Sequence, residues 1–390
     1  KLRFPSIPAM AMVPEGAPAG TGAGDCLAAE PTDAADGDEA GAPSREGEEE
    51  EGAAERAAAA DHAPAEEECE EDPWLECTLR SDRDSRFTTC AMVPRRSQVA
   101  SGSQDGSVFL WPLAPGFPRP TRLGGHKGPV TSIVVSTSGE LVASASIDAS
   151  VMLWKNQAGR QVPAVVKVHF SPVRACDISH SERMLLTASD DKLVKLCLLP
   201  SRRFVASLVG HANWVRTAAF SPKTSSLVVS GSDDKTVRLW DVERREALRT
   251  WYDCEGGVTC ARFDGGETTV AACSLDSAVN LWDTRSQALR QHYGRAHGSS
   301  AIAQVTFHPT KELLLSCSVD RTMRLWDLRA GRLRSTVYGH EQPVQGCCWA
   351  SDGSRLASCD VNAINIWAFP VAGDSSARSE GGLLPRRQPA

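Results

Sequence analysis

A tryptophan-marked period runs through most of this chain and restricts the folds that it can adopt. The residue that ends one short apolar segment in each period recurs at spacings of 43, 43, 43, 42, 44 and 41, at Trp111, Trp154, Cys197, Trp240, Trp282, Trp326 and Trp367. Each period contains short β-rich runs separated by turn residues, such as VRTAAFS, SLVVSGS and KTVRLWD in the fourth copy. A period of about 40–45 residues is typical of one four-stranded propeller blade. The seven copies therefore predict an all-β, seven-bladed propeller over residues 71–369.

Three columns of polar residues keep register with the tryptophans. An aspartate lies six residues before the tryptophan position, a serine or threonine lies four residues before that aspartate, and a histidine precedes the aspartate by 22 or 23 residues. The resulting GH…D…W pattern resembles that of the WD-repeat family.

The resemblance implies that these side chains form a buried hydrogen-bonded relay in each blade. Imidazole can donate to a carboxylate and accept from a hydroxyl, and a buried indole N–H needs an acceptor, so the residue types suit that role. The predicted members are His126, Ser144, Asp148, Trp154, His169, Thr187, Asp191, His211, Ser230, Asp234, Trp240, Asp276, Trp282, His297, Ser316, Asp320, Trp326, His340 and Trp367.

Four repeats depart from this pattern, and we expect their blades to be held less firmly. They are the fifth, with Cys254 and Ala272; the third, with Cys197; the first, with Asp82 near the histidine position; and the seventh, one residue short around Asp360 and Val361. In the fifth repeat the histidine and the serine are lost together, which avoids leaving one of the two unpaired.

A ring of blades leaves a free sheet edge unless its ends are joined. The segment WLECTLR (Trp74–Arg80) precedes the first complete repeat and has no blade of its own. By analogy with the family, it is expected to supply the outer strand of the last blade. The alternative is that it is only a linker.

Charge is distributed unevenly along the chain. Residues 1–73 contain 20 acidic and 4 basic residues, whereas the whole chain has a net charge of −7, so the remaining part is basic. Residues 1–70 are rich in Ala, Gly and Glu and are predicted to be a disordered acidic arm, and residues 370–390 a short disordered tail. The arm is either a solubilising segment or one that folds back on a basic face or competes with an acidic partner.

Catalysis, metal binding and membrane insertion are not expected. The thirteen cysteines include no CxxC pair and fall mostly in predicted strands, which favours buried free thiols. The chain has no long apolar run and no phosphate-binding, zinc-protease or serine-hydrolase motif. Because the His and Asp set recurs once per blade, we interpret it as structural. We predict a non-enzymatic protein that needs no cofactor.

Two surfaces are candidates for partner binding. Arginines follow the tryptophan position by three to six residues, in the predicted hairpin between third and fourth strands, at Arg202, Arg203, Arg244, Arg245, Arg285, Arg329 and Arg332. They form either an ordinary solvated rim or a docking surface for an acidic protein segment. Nucleic acid is less favoured because no aromatic residues alternate with them. The loop before the first strand of the fourth repeat carries Trp214 and Arg216, which either bind a partner or pack between blades.

Repeats four to six resemble those of the centriolar "proteome of centriole" WD-repeat proteins, in HANWVRTAAFSP, LRQHYGRAHG and FHPTKELLLSCSVD. The resemblance implies a cytoplasmic, cytoskeletal protein of centrioles or basal bodies that binds centriolar or microtubule-associated proteins and supports cilium assembly. A second hypothesis is a substrate receptor of a cullin ubiquitin ligase, since WDTR (282–285) and WDLR (326–329) resemble the WDxR motif. Another WD-repeat adaptor is also consistent with the pattern.

Overall fold

The computed structural model describes residues 74–80, 85–113, 119–156, 162–199, 201–286 and 288–369. These residues form 28 β-strands in seven four-stranded antiparallel sheets, and no helix occurs among them. The predicted seven-bladed propeller is therefore confirmed. The predicted arm at residues 1–70 and the predicted tail at residues 370–390 lie outside the described residues.

Each of the first six blades is built from four strands that are consecutive in the chain, numbered from the innermost outward. Blade 1 contains β2 (Phe87–Met92), β3 (Gln98–Ser103), β4 (Val108–Pro112) and β5 (Thr121–Leu123). Blade 2 contains β6 (Val130–Val135), β7 (Leu141–Ser146), β8 (Val151–Lys155) and β9 (Ala164–Val166). Blade 3 contains β10 (Val173–Ile178), β11 (Met184–Ser189), β12 (Val194–Leu198) and β13 (Arg203–Leu208).

Blades 4 to 6 repeat this order, and blade 7 differs only in the origin of its outer strand. Blade 4 contains β14 (Val215–Phe220), β15 (Leu227–Ser232), β16 (Val237–Asp241) and β17 (Glu246–Trp251). Blade 5 contains β18 (Val258–Phe263), β19 (Thr269–Ser274), β20 (Val279–Asp283) and β21 (Leu289–Tyr293). Blade 6 contains β22 (Ile302–Phe307), β23 (Leu313–Ser318), β24 (Met323–Asp327) and β25 (Arg332–Val337). Blade 7 contains β26 (Gly346–Trp349), β27 (Arg355–Cys359), β28 (Ala363–Ala368) and β1 (Leu75–Arg80).

The outer strand of blade 7 closes the ring. Strand β1 pairs antiparallel with β28, so that Leu79 lies opposite Ile364 and Leu75 opposite Trp367. At the end of this pairing the Ala368 N–H donates to the Trp74 carbonyl at 2.7 Å. The expected role of the WLECTLR segment is therefore confirmed, and the last blade is completed by residues from the start of the propeller.

Neighbouring blades pack through the start of each inner strand. Val130, Val215 and Val258 are fully buried there, which stabilises the ring by roughly 1.5–3 kcal/mol for each side chain. Gly102 permits this contact, because a Cβ atom at Gly102 would lie 2.5 Å from Cγ1 of Val130 in the next blade. The hydroxyl of Thr88 also donates to the Val130 carbonyl across the same boundary at 2.6 Å.

The antiparallel order of strands gives the propeller two different faces. Connections between first and second strands and between third and fourth strands emerge on one face, and the other connections emerge on the opposite one. We call the first the hairpin face, which carries Arg244 and Arg329 in the hairpins between third and fourth strands. We call the second the relay face, because the connections that carry His126 and Asp148 lie there.

Candidate functional site

A turn on the relay face holds each column aspartate in place. In blade 2 the Oδ1 atom of Asp148 accepts the Ser150 N–H at 3.0 Å and the Ser150 hydroxyl at 2.6 Å. Ala149 between them has a φ of 63°, a left-handed conformation that suits a short hairpin turn. Equivalent residues with positive φ follow the column in other blades, at Gly106, Lys192, Lys235, Ser277 and Arg321. The turn therefore leaves the second carboxylate oxygen free for the relay.

In blade 2 the relay is complete and fully hydrogen-bonded. His126 Nδ1 lies 3.0 Å from Asp148 Oδ2, and its Nε2 lies 2.9 Å from the Ser144 Oγ. The Trp154 indole donates to the same Ser144 oxygen at 3.0 Å. A carboxylate only accepts, so Nδ1–H donates to it, and Nε2 then accepts the Ser144 hydroxyl proton. A network with every member satisfied makes the blade rigid.

Blades 4 and 6 repeat this arrangement. In blade 4, His211 lies 2.8 Å from Asp234 and 2.7 Å from Ser230, and Trp240 donates to Ser230 at 2.8 Å. In blade 6, His297 lies 2.9 Å from Asp320 and 2.7 Å from Ser316, and Trp326 donates to Ser316 at 2.9 Å. The structure thus brings together all the predicted members in three blades.

Blade 7 also has a complete relay, so the expectation that this blade is held less firmly is wrong. His340 lies 2.8 Å from Asp360 and 2.6 Å from Ser358, and the Trp367 indole donates to Ser358 at 2.7 Å. The shorter turn moves the aspartate and the serine closer together in sequence, but their side chains reach the same places. Counting back a fixed distance from Trp367 missed Ser358 and Asp360, whereas the Gly339–His340 pair in front of them was a usable signal.

In blade 3 the relay forms without its tryptophan. His169 Nδ1 lies 2.6 Å from Asp191, and its Nε2 lies 2.8 Å from the Thr187 hydroxyl. Cys197 is buried in the tryptophan position. Lys195 adds an ion pair with Asp191 at 3.4 Å and donates to the Val168 carbonyl at 2.6 Å. The polar half of the relay is therefore reinforced where the aromatic half is lost.

Blade 5 is held by a different set of contacts. The Trp282 indole donates to Asp253 at 2.6 Å instead of to a serine, and its ring stacks on Trp251 with centroids 5.3 Å apart. Asp276 accepts the backbone N–H groups of Glu255 and Gly256, each at 2.9 Å, where other blades have a histidine. The buried indole is thus satisfied, by an acceptor that the repeat pattern did not predict.

Blade 1 keeps only the tryptophan–serine half of the relay among the described residues. Trp111 donates to the Ser101 hydroxyl at 2.8 Å. Asp105 pairs with Arg122 at 3.0 Å and accepts the Ser107 N–H at 2.9 Å. Asp82, which was considered for the histidine position, lies outside the described residues.

The relays are spread around the ring, no more than one to a blade, and do not converge on one reactive centre. Within residues 74–369, excluding the gaps given above, no cluster of three or more His, Cys, Asp or Glu residues is arranged to hold a metal ion. The described part of the chain likewise contains no helix that could span a membrane. What the geometry provides is therefore a rigid ring with two exposed faces.

The hairpin face exposes the predicted arginines on consecutive blades. Arg244 and Arg245 lie in the β16–β17 hairpin, and Arg329 in the β24–β25 hairpin, as the sequence predicted. Asp327 accepts the backbone N–H groups of Arg329 and Ala330, at 3.0 and 2.8 Å, which fixes the turn. The arginine side chains remain exposed to solvent.

Trp214 and Arg216 lie together on the relay side, but Arg216 differs from its prediction. It belongs to strand β14 and not to the preceding loop, and its guanidinium makes a two-pronged ion pair with Asp233, with Nε and Nη2 at 2.9 and 2.7 Å from Oδ2. Trp214 is 44% exposed and lies within cation–π distance of Arg216 and of Arg174, at 5.4 and 5.9 Å. The Trp214 ring is therefore in contact with two arginines and still partly exposed to solvent.

Large apolar side chains are also exposed elsewhere on the relay face. They lie in turns and inter-blade connections, and the exposed ones are Ile147, Phe170, Val209, Tyr252, Leu275, Val319 and Tyr338. Phe170 is 99% exposed although it directly follows the buried His169. The relay face thus offers these apolar groups, and the hairpin face offers the arginines, which suits contacts with different partners.

Comparison with known proteins agrees with this geometry. The family model of the WD domain, G-beta repeat, matches residues 75–112 and 118–155. The seven blades and their relays thus define the chain as a WD-repeat β-propeller, a class that typically binds other proteins. No curated protein sequence matches the chain significantly.

A second family model gives a more specific family within the WD-repeat propellers. The model described as "Nucleolar protein 10-like, N-terminal domain" matches residues 174–375, just over half of the chain, and the chain belongs to this β-propeller family. Neither match identifies the centriolar subfamily, which stays a prediction.

The relay of blade 4 is expected to contribute more to stability than the loop of blade 5. His211→Phe keeps a ring of similar size but leaves Asp234 and Ser230 without their partner, at a cost of roughly 2–4 kcal/mol. Cys254→Ala at the equivalent position of blade 5 is the control, with a cost of about 1 kcal/mol. Urea unfolding measures both, and equal losses would contradict the energetic role given to the relay.

The relay also predicts loss of stability in acid. Burial disfavours the charged form of Asp320, but the hydrogen bond from His297 and those from Thr322 outweigh it and lower its pKa to about 2 from 3.8. Because the folded-state pKa is the lower one, the stabilisation is present above about pH 4 and is lost as the pH falls towards 2. Asp320→Asn should flatten this part of the pH profile of the urea midpoint, and Glu246→Gln should not.

Proposed function

We propose that this propeller is a protein-binding scaffold whose hairpin face binds an acidic segment of a partner. The observation that supports this is the row of exposed arginines at equivalent places in blades 3 to 6, at Arg202, Arg203, Arg244, Arg245, Arg285, Arg329 and Arg332. Opposite charge on a partner would steer its approach and select it over other proteins.

The aspartates of these hairpins bond mainly to the backbone of their turns and do not hold the arginine side chains closely. The Oδ1 atom of Asp283 accepts the N–H groups of Arg285 and Ser286, at 2.8 and 3.0 Å, so this carboxylate is occupied by the turn. The ion pair of Arg244 with Asp241 is long, at 3.8 Å, and exposed, and it contributes little.

Acidic side chains moderate the charge of one hairpin. Blade 4 also exposes Glu243 and Glu246 beside its arginines, so the positive charge is greatest at blades 3 and 6. We therefore place the centre of the proposed contact at those two blades.

The binding proposal is tested with a glutamate-rich peptide of about ten residues. Reversing Arg329 and Arg332 to Glu should weaken its binding by about tenfold at low salt, since two attractive charges become repulsive. The matched control reverses Lys192 and Lys235, which lie in relay-face turns and give the same change in net charge.

Fluorescence anisotropy at two salt concentrations measures this binding. Equal weakening by both double variants would show an effect of net charge alone, and the hairpin face would then lose its assigned role.

We further propose that the protein acts at centrioles or basal bodies and supports cilium assembly, as the resemblance of repeats four to six suggests. A tagged copy should concentrate at these structures. A copy concentrated in nucleoli would instead fit the protein named by the matching family model, and either that or a uniform cytosolic signal would contradict the centriolar role.

The ubiquitin-ligase alternative rests on one observation. Arg285 and Arg329, the last residues of the two WDxR segments, are both exposed on the hairpin face. Recovery of a ligase adaptor with the wild-type protein, and its loss with Arg329→Ala, would favour this alternative.

A further inference from the structure

The inner strands enclose a polar cavity at the centre of the ring. Its volume is about 130 Å³, and every blade contributes to its lining, which includes Thr88, Thr131, Thr259 and Gln345. Several hydroxyls of this lining are already used between blades, since Thr131 donates to the Val173 carbonyl at 2.6 Å and Thr259 to the Ile302 carbonyl at 2.7 Å. The strongest donors that line the cavity are three arginines.

Two arginines mark the relay-face end of this cavity. The guanidinium of Arg174 pairs with Asp190 through Nε and Nη2, at 2.8 and 2.7 Å, and Arg216 pairs with Asp233 in the same manner. Each pair is partly buried, which holds the planar group in one orientation. Within the described residues, the Nη1 group of each of these arginines makes no hydrogen bond.

A third arginine lines the cavity without such a partner. Arg262 donates from Nη1 to the Thr217 hydroxyl at 3.3 Å and to the Ala261 carbonyl at 3.2 Å, both neutral acceptors at long distance. No carboxylate of the described residues forms an ion pair with it. The hydrogen bonds of this partly buried guanidinium therefore go to neutral acceptors alone.

The nearest carboxylate, that of Asp177, makes no hydrogen bond to Arg262. Asp177 interacts with Arg262 only through space, because its oxygens accept the N–H groups of Ile178 and Phe220 at 2.8 and 2.7 Å. Burial raises the pKa of Asp177, and the charge of Arg262 acts against that rise. The thiols of Cys176 and Cys260 are the other titratable groups near Arg262.

We propose that this cavity binds a small oxyanion, a carboxylate or a phosphate, with Arg262 as its principal contact and Arg174 and Arg216 at its entrance. The planar guanidinium matches two oxygens of such a group. The volume of the cavity accommodates a group of this size. The site is separate from the hairpin face, so the proposal does not depend on the function proposed above.

Two sources could supply the oxyanion, namely a free ion and an acidic side chain of a partner docked on the relay face. The probes are therefore inorganic phosphate and N-acetylglutamate N-methylamide, each titrated into the full chain at constant ionic strength. The unfolding temperature should rise with the concentration of at least one probe, and this rise should saturate. Stronger binding of phosphate indicates a free ion, and stronger binding of the glutamate derivative indicates a partner's side chain.

Variants test whether the shift in the unfolding temperature comes from binding in the cavity. Arg262→Met should abolish it, and Arg334→Met, at an exposed outer-strand position, should leave it unchanged. Arg262→Lys retains the charge if the methionine variant does not fold, and it should weaken the binding by about tenfold because lysine cannot present two parallel donors.

A response that does not saturate, or one that is equal in wild type and Arg262→Lys, overturns the proposal. The double reversal of Arg329 and Arg332 should not alter the response, so this site and the hairpin-face contact fail or succeed separately.

Discussion

The pairing of β1 with β28 is the interaction on which the propeller depends. Without it β28 would be an unpaired edge, and blades 7 and 1 would be joined chiefly by the packing of β2 against β26 and β27. The inner strands touch in a continuous circle, and buried apolar side chains such as Val130, Val258 and Ile302 pack at the boundaries between blades. Closure therefore sets the geometry in which both faces and the central cavity exist.

The relays act within this closed ring, since each one fastens a turn to the body of its own blade. The number and order of the blades could be predicted from sequence because the tryptophan position repeats with little variation. The relay in blades 2, 4 and 6 followed from fixed distances along the chain. The same fixed distances did not predict the relay of blade 7, where a turn is one residue shorter. The position six residues before Trp367 is Val361, whereas the aspartate of the relay is Asp360.

Other features depend on contacts that no repeat pattern contains. Asp253 replaces a serine as the acceptor of Trp282 because the chain before blade 5 runs close to the indole. Partner binding was one of two alternatives for Arg216, and the pattern gave no sign that Asp233 from the neighbouring turn binds its guanidinium. The cavity around Arg262 joins residues from seven separate periods, so only the closed structure shows them together.

The origin of β1 has a consequence for biosynthesis. Its hydrogen-bonding partner, Ala363–Ala368, is translated only after nearly the whole propeller has left the ribosome. Blades 1 to 6 are each made of consecutive strands and can form during translation, but β1 must wait without a partner strand until the end. Sealing the ring is thus a late step of high contact order, during which an exposed edge is open to chaperones or to other chains.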